Sequence, residues 1–385
     1  LPLRIGLVAG EASGDTLGAA LIAALRESAP EATFFGIAGP KMQAAGCEVW
    51  EPAESLAVMG LFEILRDLPR LLRLRARIVR GFVAARPDVF IGIDAPEFNL
   101  GLARRLRAAG ILTVQYVSPQ VWAWRQGRVR GMGAAVDLVL CLLPFEKQFY
   151  DAQGLRAEFV GHPLADAIPL DVDRAAARAA LGVPADAEVI ALLPGSRRGE
   201  VTRLGRDFAA IATWLAARRP ALRFVAPMAG PAARELFTRA LAEHAPQLAV
   251  QLVDGRAQQA MIAADAVLVA SGTASLEAAL CKRPMVVVYR LGALTAWVLR
   301  NLKLVKSRYF AQPNLLADRR IVGEYFQEQI VPEVIGAELL AWLDDAPRRE
   351  ALQAEFRRIH ASLKRGASAG AARAILELLS AKGRA

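Results

Sequence analysis

Short apolar runs alternate with helix-length amphipathic stretches along most of this chain, and that alternation restricts the fold more than any other feature. In the first half the strand-like runs are residues 3–9, 33–37, 89–93, 112–117, 136–141 and 158–160. Helical patterns fall at 16–27, 61–84 and 100–109, the second expected to kink or split at Pro69. In the second half, strand-like runs at 189–193, 223–226, 249–252, 266–270 and 285–289 alternate with helical patterns at 202–217, 232–244, 258–263 and 275–281. Parallel strands need a crossover, and helices of this length supply one. Two such series predict an α/β protein of two doubly wound, Rossmann-like lobes facing across a cleft. The lobes are expected at residues 1–165 and 166–347. The pattern after residue 289 reads as helical, and residues 348–385 read as two amphipathic helices, split near 366–370, that pack back on the first lobe.

At 385 residues the chain exceeds one ordinary core. With 54% hydrophobic and 22% charged residues it reads as globular. No apolar stretch reaches the roughly 18 residues that span a bilayer. The opening residues read as a strand entering a turn, without the regions of a signal peptide. Cys47, Cys141 and Cys281 are far apart and odd in number. They point to a reducing compartment and away from a disulfide frame or zinc site. Together these features predict a cytoplasmic protein. The net charge of +10 implies an anionic partner or a generally arginine-rich composition. Residues 66–80 hold six arginines (66, 70, 73, 75, 77 and 80) against the single acid Asp67.

Ligands of open α/β sheets bind beyond the carboxyl ends of the strands, so candidate site residues lie at the strand ends. The first runs into Gly10-Glu11-Ala12-Ser13-Gly14-Asp15, a turn that lets backbone approach a ligand before a helix start. It also reads as an ordinary turn with Ser13 or Asp15 as helix cap. Asp94, after the run at 89–93 and before Pro96, has the placement of a general base or a cap. Trp122 and Trp124, in the loop after residue 117, read equally as a pocket wall or a packed plug. In the second half, Gly195-Ser196-Arg197 offers backbone N–H groups and a guanidinium for a diphosphate, with no acidic cluster nearby to hold a metal. Ser271, Gly272 and Thr273 form a small-residue turn before a helix, with Glu277 one turn in, where a carboxylate can accept from ribose hydroxyls. No cofactor or metal is expected. His162, His244 and His360 are scattered and carry no catalytic assignment.

These strand-end motifs, in this order and over nearly the whole chain, resemble the lipid-A-disaccharide synthases. The blocks are residues 10–15, 118–125, 161–164, 193–197 and 271–277, with Gln312-Pro313-Asn314-Leu315-Leu316 as a sixth. The resemblance implies an inverting glycosyltransferase of the two-Rossmann-lobe (GT-B) type, with an acceptor lobe followed by a UDP-sugar lobe. It would join UDP-2,3-diacylglucosamine to 2,3-diacylglucosamine 1-phosphate (lipid X), giving a β-1,6-linked disaccharide 1-phosphate and UDP. By that resemblance Asp94 matches the base, with Glu11 as its rival. Ser13, Asn99, Trp122 and Trp124 fall with the substrates, as do Arg197, Ser271, Gly272, Thr273, Glu277, Asn314 and Gln327. Gly323 departs from the family pattern, which has proline there.

Acylated substrates imply a membrane surface. The helix at 61–84, with Leu61, Phe62, Leu65, Leu68, Leu71, Leu72 and Ile78 among its arginines, has the pattern of an interfacial helix on an anionic bilayer, or of a core helix with a solvated basic face. Residues 297–309 are a second candidate. The expected location is the cytoplasmic face of the inner membrane, peripherally bound, with a homodimer left open. The nearest rival is another UDP-sugar enzyme of this fold, such as a UDP-N-acetylglucosamine epimerase. A nucleic-acid-binding protein fits the basic segment alone, and no nucleic-acid module is recognisable.

Overall fold

A computed structural model describes residues 2–56, 61–120, 129–292 and 307–383, without the side chains of residues 61–67 and Arg130. The chain divides into two compact units, Leu1–Asp166 with Leu363–Ala385, and Ala167–Ser362.

In the first unit the order is β1 (Arg4–Ala9), α1 (Ala12–Ser28), β2 (Thr33–Ala38), α2 (Pro40–Ala44), β3 (Cys47–Pro52), α3 (Leu61–Ala85), β4 (Val89–Ile93) and α4 (Pro96–Ala108). Then come β5 (Leu112–Tyr116), α5 (Val129–Gly133), β6 (Leu138–Cys141), α6 (Pro144–Asp151) and β7 (Ala157–Phe159). The seven strands pair in parallel in the order β3-β2-β1-β4-β5-β6-β7. Alternation along β1 sorts its side chains to opposite faces. Ile5, Leu7 and Ala9 join one core cluster with Leu21 and Leu25 of α1. Val8 joins the other with Phe82 of α3 and Leu102 of α4. Both faces are covered, so the central strands are mostly apolar, with Thr113 and Gln115 of β5 as buried polar exceptions, and they stand out as apolar runs.

α7 (Pro163–Ala167) ends the first stretch of the first unit, and in the second unit α8 (Arg174–Leu181) precedes β8 (Val189–Leu193), α9 (Arg198–Arg218), β9 (Arg223–Met228), α10 (Pro231–His244), β10 (Val250–Asp254), α11 (Ala257–Ala263) and β11 (Ala266–Ala270). α12 (Thr273–Leu280), β12 (Met285–Tyr289), α13 (Gln312–Ala317), β13 (Gly323–Phe326), α14 (Pro332–Asp344) and α15 (Ala346–Leu363) follow. The sheet is parallel, ordered β10-β9-β8-β11-β12-β13.

The final helix, α16 (Ala367–Ser380), belongs to the first unit. Its Ala371, Ile375 and Leu379 are buried in the cluster that holds α1. The Asp166 carboxylate accepts from the N–H groups of Gly366 (2.9 Å) and Ala367 (2.6 Å), satisfying orphan donors at the α16 start.

Three expectations need correction. β3 and β13 are strands without an apolar run, and β13 lies where the pattern predicts helix. Both are edge strands, so each has one neighbour and keeps polar residues such as Glu48 and Glu324. α3 is one helix through Pro69 rather than two. Ile78 lies in the core at 3% exposure, on the buried stripe with Leu74 and Phe82, and not on the outer face.

His162, between β7 and α7, is buried. Its Nδ1 accepts from the Leu164 N–H at 3.2 Å, and burial lowers its pKa from 6.5 to about 4. The unfolded chain takes up this proton near pH 6.5 and the folded chain only near pH 4. Acid therefore favours unfolding across that window, and stability rises with pH through it. Moving from pH 7 to pH 5 should cost about 1–2 kcal/mol through this residue. Denaturant titrations of wild type and His162→Gln at both pH values check this, and the variant should lose that share of the difference.

Candidate active site

Each sheet has one topological switch point, where successive crossovers leave in opposite directions and open a crevice at the carboxyl edge. In the first unit it lies between β1 and β4, whose final residues Ala9 and Ile93 are paired. Glu11 follows one strand and Asp94 the other, so the two candidate acids flank one crevice. Glu11 is exposed and occupies the N-cap position of α1 in extended conformation, without a side-chain cap bond. Ser13 is exposed in the first turn of α1.

Asp94 is held in an unusual backbone. Asp94 and Ala95 have φ of +52° and +39°, two successive left-handed residues without a glycine. Such conformations cost roughly 1–3 kcal/mol each and persist only where the surroundings impose them. Here Asn99, fully buried, donates from Nδ2 to the Asp94 carbonyl at 2.8 Å. Gln115, 1% exposed on β5, donates from Nε2 to the same carbonyl at 3.0 Å. The Asp94 N–H donates to the Tyr116 carbonyl at 2.9 Å. Gly92 makes room for this, since a Cβ there would lie 2.8 Å from the Asn99 Cβ. The Asn99 side chain thus holds the Asp94 backbone. Val117, at φ +74°, is a third left-handed residue at this edge, and Gln115 also reaches its carbonyl (3.3 Å). Ser118 is tied to the Tyr150 hydroxyl at 2.9 Å. Trp122 and Trp124 lie outside the described residues.

Asp15 is not a cap of its own helix. Its buried carboxylate accepts from the N–H groups of Gly39 (3.1 Å), Lys41 (2.9 Å) and Met42 (2.9 Å), fixing the start of α2.

In the second unit the switch point lies between β8 and β11, and the turns at 194–197 and 271–273 flank it. Gly195 has φ +123°, and a Cβ there would lie 2.5 Å from the Glu200 Cβ. The Glu200 carboxylate accepts from the N–H groups of Ser196 (3.0 Å) and Arg197 (3.2 Å). The expected donation of the Ser196 N–H to a ligand is therefore corrected, because Glu200 already takes that proton. Arg197 remains exposed at the N-cap of α9. Gly272, at φ +153°, caps α12, with Thr273 exposed as its first residue. Ser271 donates from Oγ to the Phe310 carbonyl at 3.4 Å. Burial raises the Glu277 carboxyl above its ordinary range. Glu277 lines a shallow depression with Arg256, Gln258 and Gln259 at the start of α11. None of those three is a site candidate from the sequence, where 258–263 reads only as a helical pattern, although they too follow a strand end, that of β10.

Asn314 and Gln327 are buried. The Asn314 Oδ1 accepts from the N–H groups of Ile321 (2.8 Å) and Val322 (3.0 Å), and its Nδ2 donates to the Val322 carbonyl (3.0 Å). Its side chain ties α13 to β13. Gln327 has φ +53° just beyond β13 and donates from Nε2 to the Leu291 carbonyl at 3.3 Å. At Gly323 a Cβ would lie 2.3 Å from a Glu338 carboxylate oxygen, so glycine makes room for that side chain in this chain.

Comparison with known proteins matches residues 5–377 to the lipid-A-disaccharide synthetase family. The chain is 52% identical over 380 residues to the lipid-A-disaccharide synthase of Serratia proteamaculans, covering 99% of each. It is 54% identical over 378 residues to that of Sodalis glossinidius, covering 98% of each. Among solved structures it is similar to a UDP-GlcNAc 2-epimerase from Neisseria meningitidis bound to UDP-GlcNAc (TM-score 0.60, 12% identity, 99% of this chain and 100% of that one). It is also similar to the calicheamicin glycosyltransferase (TM-score 0.59, 17% identity, 100% and 99%). These structural likenesses, at such low identity, carry the fold alone: two parallel-sheet α/β domains of the GT-B kind.

Proposed function

The chain belongs to the lipid-A-disaccharide synthetase family, and from that premise we propose how its residues join two acylated glucosamines. The reaction is a glycosyl transfer in lipid A biosynthesis. UDP-2,3-diacylglucosamine gives its sugar to the 6-hydroxyl of 2,3-diacylglucosamine 1-phosphate, releasing UDP. Asp94 takes the hydroxyl proton as the oxygen attacks the anomeric carbon. The bond from that carbon to the UDP oxygen breaks on the opposite face, so an α-linked donor yields a β-linked product. Arg197 and the turn at residues 271–273 balance the charge that collects on the leaving diphosphate, and Glu277 takes the ribose. Glu11 and Ser13 line the acceptor side.

The observation that carries this reading is the Asp94 backbone, held left-handed by Asn99 and Gln115 at the switch point. Incubating the purified chain with both acylated sugars tests it, with mass spectrometry as readout. A tetraacyl disaccharide 1-phosphate and UDP are expected. A donor epimer formed without acceptor would reverse the assignment.

The enzyme works as a peripheral protein at the cytoplasmic face of the inner membrane. Among the described residues no helix is long and apolar enough to cross a membrane. Leu68 and Leu72, one turn apart on α3, are 43% and 44% exposed, near Arg70 and Arg73. Apolar side chains among cations suit an anionic bilayer surface. Replacing both leucines by serine should weaken co-sedimentation with anionic vesicles several-fold while leaving the unfolding midpoint in place. Unchanged sedimentation would remove α3 from this role.

A further inference from the structure

Tyr289, Phe310 and Phe326 form an aromatic cluster in the second unit, with ring centroids 6.0, 6.0 and 6.4 Å apart. Tyr289 and Phe326 end β12 and β13 and are paired in register. Phe310 lies just before α13. All three rings are half-buried rather than sealed in the core, so an apolar surface lies at the carboxyl edge of the sheet, where ligands of this fold bind.

Two connections join that surface to the proposed diphosphate turns. The Phe310 carbonyl accepts from Ser271 Oγ at 3.4 Å, and its N–H donates to Glu324 Oε2 at 3.1 Å. Phe310 is thereby fixed beside the turn at 271–273. Tyr289, in ring contact with Phe310, lies within electrostatic reach of Glu200, Arg203 and Arg197, and burial raises its hydroxyl pKa. Anion-binding groups and a fixed aromatic surface thus adjoin within one unit. A ligand matching both halves is an amphiphile: a diphosphate joined, through a sugar, to a hydrocarbon chain. Aromatic faces are held rigidly at low entropic cost and accept methylene groups without demanding a polar partner.

We propose that Tyr289, Phe310 and Phe326 form the subsite for an acyl chain of the sugar-nucleotide donor and so make the enzyme prefer acylated over bare UDP-sugars. The proposal rests on the glycosyl-transfer reading above for the identity of the donor. Its test is binding, so the two stand or fall separately. Calorimetry gives the affinity for UDP-2,3-diacylglucosamine in detergent and for UDP alone, in wild type and in the Phe310→Ala/Phe326→Ala variant. The ratio of the two affinities should fall about 10–100-fold in the variant, since each methylene placed in an apolar pocket discriminates by roughly 10–200-fold. UDP affinity should change by less than about twofold. Phe310→Leu/Phe326→Leu, which keeps apolar area, should recover most of the ratio. An unchanged ratio in the alanine variant overturns the proposal. So does parallel loss of both affinities, which marks the rings as packing that supports the turn. Failure of wild type to form the disaccharide would count against the transfer reaction and leave this ratio readable.

Discussion

Asp94→Asn should lower kcat by about 10²–10⁴-fold, the usual contribution of a general base, with UDP affinity and unfolding midpoint unchanged. The two side chains are nearly the same size, so the substitution removes proton affinity with little change in packing. The left-handed backbone should survive it, because asparagine tolerates that region as well as aspartate does. The bonds that impose it run through the backbone amide and carbonyl of residue 94, which the substitution leaves alone. Glu11→Gln is the necessary companion, because Glu11 flanks the same crevice from β1. If Asp94 is the base, the Glu11 variant should act mainly on the KM for the acceptor. Loss of kcat in Glu11→Gln with near wild-type turnover in Asp94→Asn would exchange their roles. Asn99→Ala offers a third reading. It removes one of the side-chain donors that hold the Asp94 carbonyl, so it should lower kcat by less than Asp94→Asn does, with UDP affinity unchanged.

What the sequence disclosed follows from how each feature is built. The central strands were legible because both sheet faces bury them, as the five buried residues of β4 and of β8 show. β3 and β13 were not, since an edge strand such as Cys-Glu-Val-Trp-Glu-Pro satisfies its environment with few apolar residues. The switch-point positions of Glu11, Asp94, Arg197 and Ser271 could be anticipated from strand ends alone, because connectivity fixes where such crevices lie. The partner of each polar group could not be anticipated. Nothing local in the sequence says that Glu200 accepts the Ser196 N–H, that Asp15 holds α2, or that two left-handed residues follow β4. Those depend on residues brought together by the fold. The consequence is sharpest at Asn314, a motif residue read as a ligand contact whose side-chain bonds prove to be internal.

Asn314→Ala should destabilise the second unit by about 3–5 kcal/mol. It leaves the N–H and carbonyl of buried Val322 and the N–H of half-buried Ile321 without their partner, and a buried orphan costs roughly 1–3 kcal/mol, a half-buried one less. The loss is local before it is global. Asn314 joins α13 to the start of β13, the outermost strand of its sheet, and the adjoining segment carries Phe310 and the Glu324 bonds that seat it. Two compact units need not unfold together, so a single melting curve would blur the effect. Hydrogen exchange resolved by peptide separates it. Protection at Ile321 and Val322 should collapse in the variant, while peptides from β1 and β4 in the first unit keep theirs. UDP affinity should fall as well, because the turn at 271–273 loses the support of Phe310 through Ser271. The order of effects distinguishes the two roles open to this residue. If it positions the site, affinity lost in Asn314→Ala should be partly regained under stabilising osmolyte, which favours the compact state. If it touches the nucleotide, affinity should fall with exchange at Ile321 and Val322 undisturbed, and osmolyte should restore nothing.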